Sequence, residues 1–287
     1  MLTAHAAAAA IRPLTDREFR LFQELVHRES GIYLSDAKRA LLVGRLSRRL
    51  RELGVTTFEG YYELVVNGPD AGERVRMINY ICTHETHFFR EPRQFELLEQ
   101  TILPQWRAEA DAGARPRRVR VWSAACSSGE EPYSLAMSLL AHLPAAWELE
   151  VVATDLSTTV LERARGAVWP LEKATEIPAE YCRRFMLRGK GVHAGKMKAG
   201  PEIRALVRFQ QLNLNESSYA LPAGFDLVFC RNVLIYFDGP SKAAVIDRLI
   251  RHLAPTGFLF LGHAESLNGM TTPMRSVMPT VYRFADK

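Results

Sequence analysis

From residue 15 to about 103, apolar positions recur three and four apart, the spacing of one helix face. Thr15-Asp16-Arg17-Glu18 has the form of a capping box and opens a run carrying Phe19, Phe22, Leu25 and Val26. Ser35 or Asp36 can cap a second helix with Leu42, Leu46, Leu50 and Leu53 on one face, ended by Gly54. Further helical patterns cover 58–66, 71–81 and 95 to about 106. The stretch 108–118 mixes alanine, glycine, proline and arginine without an apolar period, so it is the linker candidate.

Beyond the linker the rhythm changes. Segments 118–124, 149–154, 206–212, 226–230, 258–261 and 281–284 read as strands, bounded by turn signals. Helical stretches at 132–142, 158–167 and 240–253 lie between them. Such alternation predicts an α/β domain with a mainly parallel, doubly wound, Rossmann-like sheet buried on both faces. Residues 184–208 break the pattern with glycine-rich, basic sequence (Arg188-Gly189-Lys190-Gly191, Gly195-Lys196-Met197-Lys198), which predicts a small antiparallel β-subdomain. The expected organisation is an all-α N-terminal domain (11–83), a connecting helix and linker (84–118), and the α/β domain (119–287). No internal repeat is evident.

Composition narrows the setting. The chain has 287 residues, 47% of them apolar and 24% charged, an ordinary globular profile. No run approaches the ~20 apolar residues of a membrane span. Residues 6–10 lack the basic start and long apolar core of a secretory signal and are expected to form a frayed tail. The net charge of +5 permits an acidic partner without demanding nucleic acid. Cys82, Cys126, Cys182 and Cys230 are scattered, with no Cys-x-x-Cys pair, which suits a reducing cytoplasm better than a disulfide framework or a zinc knuckle. In His84-Glu85-Thr86-His87 the histidines stand three apart rather than the four a zinc-protease helix needs, and metal binding is not expected.

An open α/β sheet binds ligands outside the carboxyl ends of its strands, at the switch point. The first such end is Val121-Trp122-Ser123-Ala124-Ala125-Cys126-Ser127-Ser128-Gly129-Glu130-Glu131. It has one of the three glycines of a dinucleotide fingerprint, and its two glutamates would repel a pyrophosphate. An acidic helix start fits a ligand carrying an ammonium or sulfonium. Asp155 ends the second strand, where it can either accept from a ribose diol or cap the helix beginning near Ser157. At two further strand ends, Asn213 could read an adenine edge under Leu214, and Asn232 could hold a polar group; both amides could equally be turn residues. An acidic ribose clamp beside an acidic first loop points to a phosphate-free nucleoside such as S-adenosylmethionine.

Five ordered motifs then carry a resemblance. Thr83-His84-Glu85-Thr86-His87-Phe88-Phe89-Arg90-Glu91, Gly129-Glu130-Glu131-Pro132-Tyr133-Ser134, Ala153-Thr154-Asp155, Arg231-Asn232-Val233-Leu234-Ile235-Tyr236-Phe237 and Gly262-His263-Ala264-Glu265-Ser266 resemble those of the chemotaxis receptor glutamate O-methyltransferases, from about Thr15 to Phe284. The resemblance implies that Thr86 and Arg90 reach the methionine end of S-adenosylmethionine, with Arg90 on its carboxylate. His84 stands where many relatives have asparagine. Glu131 would receive the cofactor ammonium, leaving Glu130 as a surface residue at the helix start. Asp155 would hold the ribose, Asn213 and Leu214 the adenine, and Arg231 and Asn232 the floor near the reacting centre. The product would be S-adenosylhomocysteine.

Methyl transfer to a carboxylate needs no general base, because a glutamate, which ordinarily titrates near pH ~4.3, is already ionised at neutral pH. Proximity, alignment and partial desolvation are then the whole requirement. His263 at a strand end is a conceivable base, but a structural role is favoured. The competing class, nucleic-acid or small-molecule methylation, is less well matched. Amino methylation favours a proline-rich, aromatic-ended loop after the fourth strand, and Asn232-Val233-Leu234-Ile235-Tyr236 has no proline.

The helix at 36–53 is the most polarised element. Lys38, Arg45, Arg48 and Arg49 oppose its leucines, and no acidic residue interrupts 38–51, so the charge is expected to lack internal balance. Most such faces are simply solvated. With the resemblance, this face is expected to dock on the helical bundle of a methyl-accepting receptor through salt-sensitive contacts. The β-subdomain could also add a strand from a receptor C-terminal peptide.

Overall fold

A computed structural model describes residues 10–70 and 72–285. Residues 6–9 of the expected tail, Ala71 at the start of one predicted helix, and 286–287 of the expected α/β domain lie outside the described residues. The chain divides into two compact units, one running up to Thr83 together with Tyr236–Asp238, the other comprising His84–Ile235 and the chain from Gly239 onward.

The first unit contains α1 (Asp16–Ser30), α2 (Arg39–Leu53), α3 (Phe58–Asn67) and α4 (Gly72–Ile81). The capping box forms as its sequence requires: the Glu18 N–H donates to Thr15 Oγ1 at 3.2 Å, and the Thr15 N–H donates to Glu18 Oε2 at 2.7 Å. Phe19, Phe22, Leu25 and Val26 are buried as predicted, with Phe22 stacked on Tyr61 at 6.3 Å between ring centroids. The second helix starts later than expected. Ser35 makes no side-chain cap, residues Asp36–Lys38 form a 3-10 turn, and α2 proper begins at Arg39. Its buried stripe is Leu42, Leu46 and Leu50, while Leu53 in the last turn is exposed.

The expected lack of internal charge balance does not hold for Arg48, which pairs with Glu52 of the same helix at 3.0 Å, nor for Arg49. The Arg49 guanidinium forks onto Glu73 of α4 at 2.9 and 2.6 Å and also reaches Glu52 at 3.2 Å. Glu73 further accepts from Arg76 at 2.8 Å and from the Tyr61 hydroxyl at 3.0 Å. A helix read alone cannot reveal an acid supplied by another helix.

The second unit begins with α5 (Pro92–Leu97) and α6 (Leu103–Asp111), joined by one widened π-helical stretch, Leu98–Ile102. Pro104 has no N–H to return to the preceding turn, and the wider hydrogen-bond spacing accommodates it. The helix therefore extends to Asp111, past the expected start of the linker. There follow β1 (Arg118–Ala124), α7 (Glu130–His142), β2 (Glu148–Asp155), α8 (Thr158–Gly166), β3 (Val168–Pro170), α9 (Ala179–Phe185), β4 (Met186–Arg188), β5 (Lys196–Ala199), α10 (Pro201–Leu206), β6 (Val207–Gln211), β7 (Phe225–Cys230), α11 (Gly239–His252), β8 (Leu253–Leu261), β9 (Met274–Met278) and β10 (Val281–Phe284).

The main sheet has seven strands in the order β6-β2-β1-β7-β8-β10-β9. The pairs β2/β6, β1/β2, β1/β7 and β7/β8 are parallel, and β10 pairs antiparallel with both β8 and β9. The doubly wound prediction is thus correct, with its switch point beside β1. The carboxyl ends of β1, β2, β6 and β7 lie along one edge, since Ala124 pairs with Thr154 and Cys230 and Asp155 pairs with Gln211.

The antiparallel excursion begins earlier than 184. Its sheet is β3-β5-β4, so Val168–Pro170 belongs to it. Three residues directly after a helix are too short to show a period. Trp169, Tyr181, Phe185 and Met197 bury into the same core as β1 and β7. No helix among the described residues is long and apolar enough to cross a membrane.

The Glu73 network sets a pH dependence. Burial alone would raise its carboxyl, but bonds from Arg49, Arg76 and Tyr61 outweigh this and hold it near about 2. A carboxyl lowered on folding contributes stability above its unfolded value and loses it as pH falls toward the folded one. Glu73→Gln is expected to cost about 2–4 kcal/mol at neutral pH. In urea unfolding followed by circular dichroism, the gap should close as pH drops from about 4.5 to about 2. A gap that does not change with pH would contradict this.

Candidate active site at the carboxyl edge of the sheet

The loop from β1 to α7 is the most strained stretch of the edge. Ala125, Ser127 and Gly129 all have positive φ, at 65°, 49° and 97°. Only glycine fits the last, because a Cβ there would lie 3.0 Å from Ala164 Cβ of α8. Bonds to neighbouring segments hold the loop. The Cys126 N–H donates to Thr154 O at 2.9 Å, the Ser127 N–H to Asp155 Oδ2 at 2.9 Å, and Ser127 Oγ to the His84 carbonyl at 3.0 Å.

Asp155 ends β2 as predicted and is buried. Its other oxygen accepts from the Ser157 N–H at 2.9 Å, but the α8 cap is Ser157, whose Oγ accepts from Val160 N–H at 3.4 Å. Asp155 therefore braces two loops rather than capping the helix. Burial pushes its carboxyl pKa up, opposed by the Ser157 and Ser127 N–H groups. Each oxygen accepts one backbone bond and retains a lone pair for a diol hydroxyl.

Both glutamates at the start of α7 are buried. Glu131 accepts from Ser123 Oγ at 2.6 Å and from Arg231 Nε at 2.7 Å. Glu130, expected at the surface, is 1% exposed; its carboxylate meets Lys173 Nζ at 2.7 Å and Ser128 Oγ at 2.7 Å. The position of a helix start does not reveal burial, and its cation lies 43 residues further along, in a 3-10 turn after β3.

Residues 84–91 form a strap held from several sides. Lys173 Nζ donates to Thr86 O at 3.0 Å, the Phe88 N–H to Glu176 at 2.9 Å, and the Phe89 N–H to Ser134 Oγ at 3.0 Å. The Arg90 guanidinium reaches back to Glu85 O at 3.2 Å. Arg231, at the end of β7, is sealed inside. Besides Glu131 it donates to Arg90 O at 2.5 Å and Gln94 Oε1 at 3.2 Å, and Nη1 stands 3.7 Å from Glu91 Oε2. These partners enclose the guanidinium, which is not open at the edge as a free cation.

Asn213 follows β6 and its Oδ1 accepts from Asn215 N–H at 2.9 Å, a turn role. Leu214 is buried, its carbonyl held by the Tyr219 hydroxyl at 2.8 Å and Arg248 at 3.0 Å. Asn232 has a left-handed backbone (φ 58°) and its Nδ2 lies 3.5 Å from Glu91 Oε1. The His263 N–H donates to the same oxygen at 3.0 Å, while its ring is largely exposed. Sequence reasoning missed Glu91, Gln94, Lys173 and Glu265. Glu91 and Glu265 stood within conspicuous motifs; Gln94 and Lys173 carried no signal of their own.

Of the basic residues on the first unit, Lys38 donates to Tyr33 O at 3.3 Å, Arg45 to Cys82 O at 3.2 Å, and Arg48 to Glu52 at 3.0 Å. Arg48 keeps an exposed side chain, whereas Arg49 is consumed by Glu73.

Along the edge, the Ser127 N–H is already given to Asp155, and the start of α7 presents carboxylates. This geometry suits a diol and a cation and opposes a pyrophosphate. Residues 84–283 match the CheR methyltransferase SAM binding domain, and residues 17–82 match the CheR methyltransferase all-alpha domain. Chemotaxis protein methyltransferase 2 of Pseudomonas aeruginosa is 40% identical over 269 residues, covering 93% of each chain. The chemotaxis protein methyltransferase of Escherichia coli is 38% identical over 272 residues, 94% of this chain and 91% of that one. That of Klebsiella aerogenes is 38% identical over 281 residues, 98% and 93%.

Asp155→Asn is expected to weaken S-adenosylhomocysteine binding by about ten- to a hundredfold in calorimetry, roughly one to two charge-assisted hydrogen bonds. A carboxyl raised by burial protonates above the ordinary carboxylate range, so a ligand diol bound to it would be released on acidification before ordinary carboxylates titrate. Unchanged affinity in the variant would remove Asp155 from the site.

Proposed function

This chain belongs to the CheR methyltransferase family, and on that premise we propose that it transfers a methyl group from S-adenosylmethionine to glutamate side chains of methyl-accepting chemotaxis receptors in the cytoplasm. S-adenosylmethionine supplies an activated methyl on a sulfonium that departs without help from an acid. Asp155 at the end of β2, with each carboxylate oxygen accepting a single backbone N–H, beside Glu131 at the start of α7, is the observation that carries this reading.

Asp155 holds the ribose and Leu214 with Asn213 covers the adenine. At the other end, Glu131 takes the ammonium, while Thr86, Arg90 and His84 on the strap close over the amino-acid portion. Arg231 fixes Glu131 and the Arg90 carbonyl in one frame. Asn232 lies where the acceptor enters. The acceptor glutamate arrives ionised, so the protein's contribution is alignment and exclusion of water. This fits an edge whose residues are amides, cations and carboxylates rather than a nucleophile and its base.

Receptor capture is assigned to the basic face of α2. Arg48 and Arg45 of α2 and Lys38 of the turn before it remain the candidates, and Arg49 serves the fold instead. The β-subdomain offers an edge to which a receptor C-terminal peptide could add.

The test is incubation with methyl-labelled S-adenosylmethionine and receptor cytoplasmic fragments. Label should appear on glutamate and be released by mild alkali, as a methyl ester is. Arg48→Glu should reduce that labelling severalfold while leaving S-adenosylhomocysteine affinity within about twofold, as expected for a screened surface charge. Alkali-stable label, or label only on added nucleic acid, would overturn the proposal.

A further inference from the structure

Glu265 follows β8 and is 2% exposed, yet no step described so far uses it. Its carboxylate accepts four backbone N–H groups. Oε1 takes Leu234 at 2.7 Å and Ile235 at 3.3 Å, while Oε2 takes Asn232 at 2.9 Å and Gly262 at 2.7 Å. Three of these donors belong to the loop after β7, and the fourth belongs to Glu265's own turn, which closes by Glu265 N–H to Gly262 O at 2.8 Å.

Each donor needs a partner. Leu234 and Ile235 open a 3-10 turn, where the first N–H groups have no acceptor within the turn. Asn232 sits in the left-handed region, a conformation that costs an asparagine free energy and persists only when its surroundings over-determine it. One carboxylate answers all of them. Close approach is built in as well: a Cβ on Gly262 would fall 2.6 Å from Asn232 Nδ2 and 2.7 Å from its backbone nitrogen.

Placement gives this clamp a meaning. In the order β6-β2-β1-β7-β8, Asp155 ends β2 and the loop after β7 lies on the other side of β1. A nucleoside whose ribose is held at β2 directs its reactive end across β1 toward that loop. We propose that Glu265 is a positioning residue for methyl transfer, fixing Asn232–Ile235 on the acceptor side of the crevice while taking no part in cofactor binding. This rests on the methyltransferase reading above.

The test pairs Glu265→Gln with Gly262→Ala in the full chain. Glutamine keeps the shape but turns an NH2 toward backbone donors, whereas alanine keeps the carboxylate and pushes the loop away. Both should retain S-adenosylhomocysteine affinity within about threefold by calorimetry. Both should lose about tenfold or more in kcat for receptor methylation, with the KM for S-adenosylmethionine within about threefold. A residue that only supported the fold would lose cofactor affinity and melting temperature together with kcat. Parallel loss of affinity and kcat in both variants, or unchanged kcat in both, overturns the assignment. A wild type that labels no receptor overturns the methyltransferase reading and this one with it; an active wild type with equally active variants overturns this one alone.

Discussion

The carboxyl edge depends on one buried guanidinium. Burying a charge is costly unless it is paired and hydrogen-bonded. Arg231 meets that condition by collecting Glu131 from the start of α7, the Arg90 carbonyl from the strap and Gln94 from α5. Phe95 and Phe229 flank it, with ring centroids 5.7 and 5.4 Å from its Cζ. Gln94 passes the connection on to Leu261 O at 2.8 Å and Thr280 Oγ1 at 2.9 Å. Strap, helix start and sheet therefore share one anchor. Buried carboxylates and cations are matched along this edge, Glu131 with Arg231 and Glu130 with Lys173, while Asp155 accepts backbone N–H groups.

The same edge gathers unusual backbone. Phe89, Glu91, Ala125, Ser127 and Asn232 all have positive φ without being glycine. Each such residue costs of order 1–3 kcal/mol and survives only where neighbours hold it. Here the holders are buried and specific: Ser134 for Phe89, Asp155 for Ser127, Glu265 for Asn232. Rigidity of this kind suits a reaction whose barrier is lowered by alignment rather than by proton transfer.

Much of this was legible in the sequence where the determining interactions are local. The period-3.6 helices, the β1 and β10 bounds, the Thr15 capping box and the acid ending β2 all follow from short windows. Legibility fails where a partner is distant. Glu130 looked exposed because Lys173 lies in another element, and Arg49 looked unpaired because Glu73 belongs to α4. The three-residue β3 and the edge strand β9 are too short or too mixed to show a period and become strands only through pairing. The roles of Gln94 and Glu265 are likewise invisible, since a polar residue near a motif does not announce which backbone groups it will satisfy.

The most direct test replaces Arg231 by lysine and titrates the full chain with S-adenosylhomocysteine. A single ammonium keeps the charge but cannot fork to Glu131, Arg90 O and Gln94 together. If the guanidinium organises the edge, affinity should fall about tenfold or more, roughly one lost charge-assisted interaction. Affinity within about twofold of wild type in a folded Arg231→Lys protein would contradict the account.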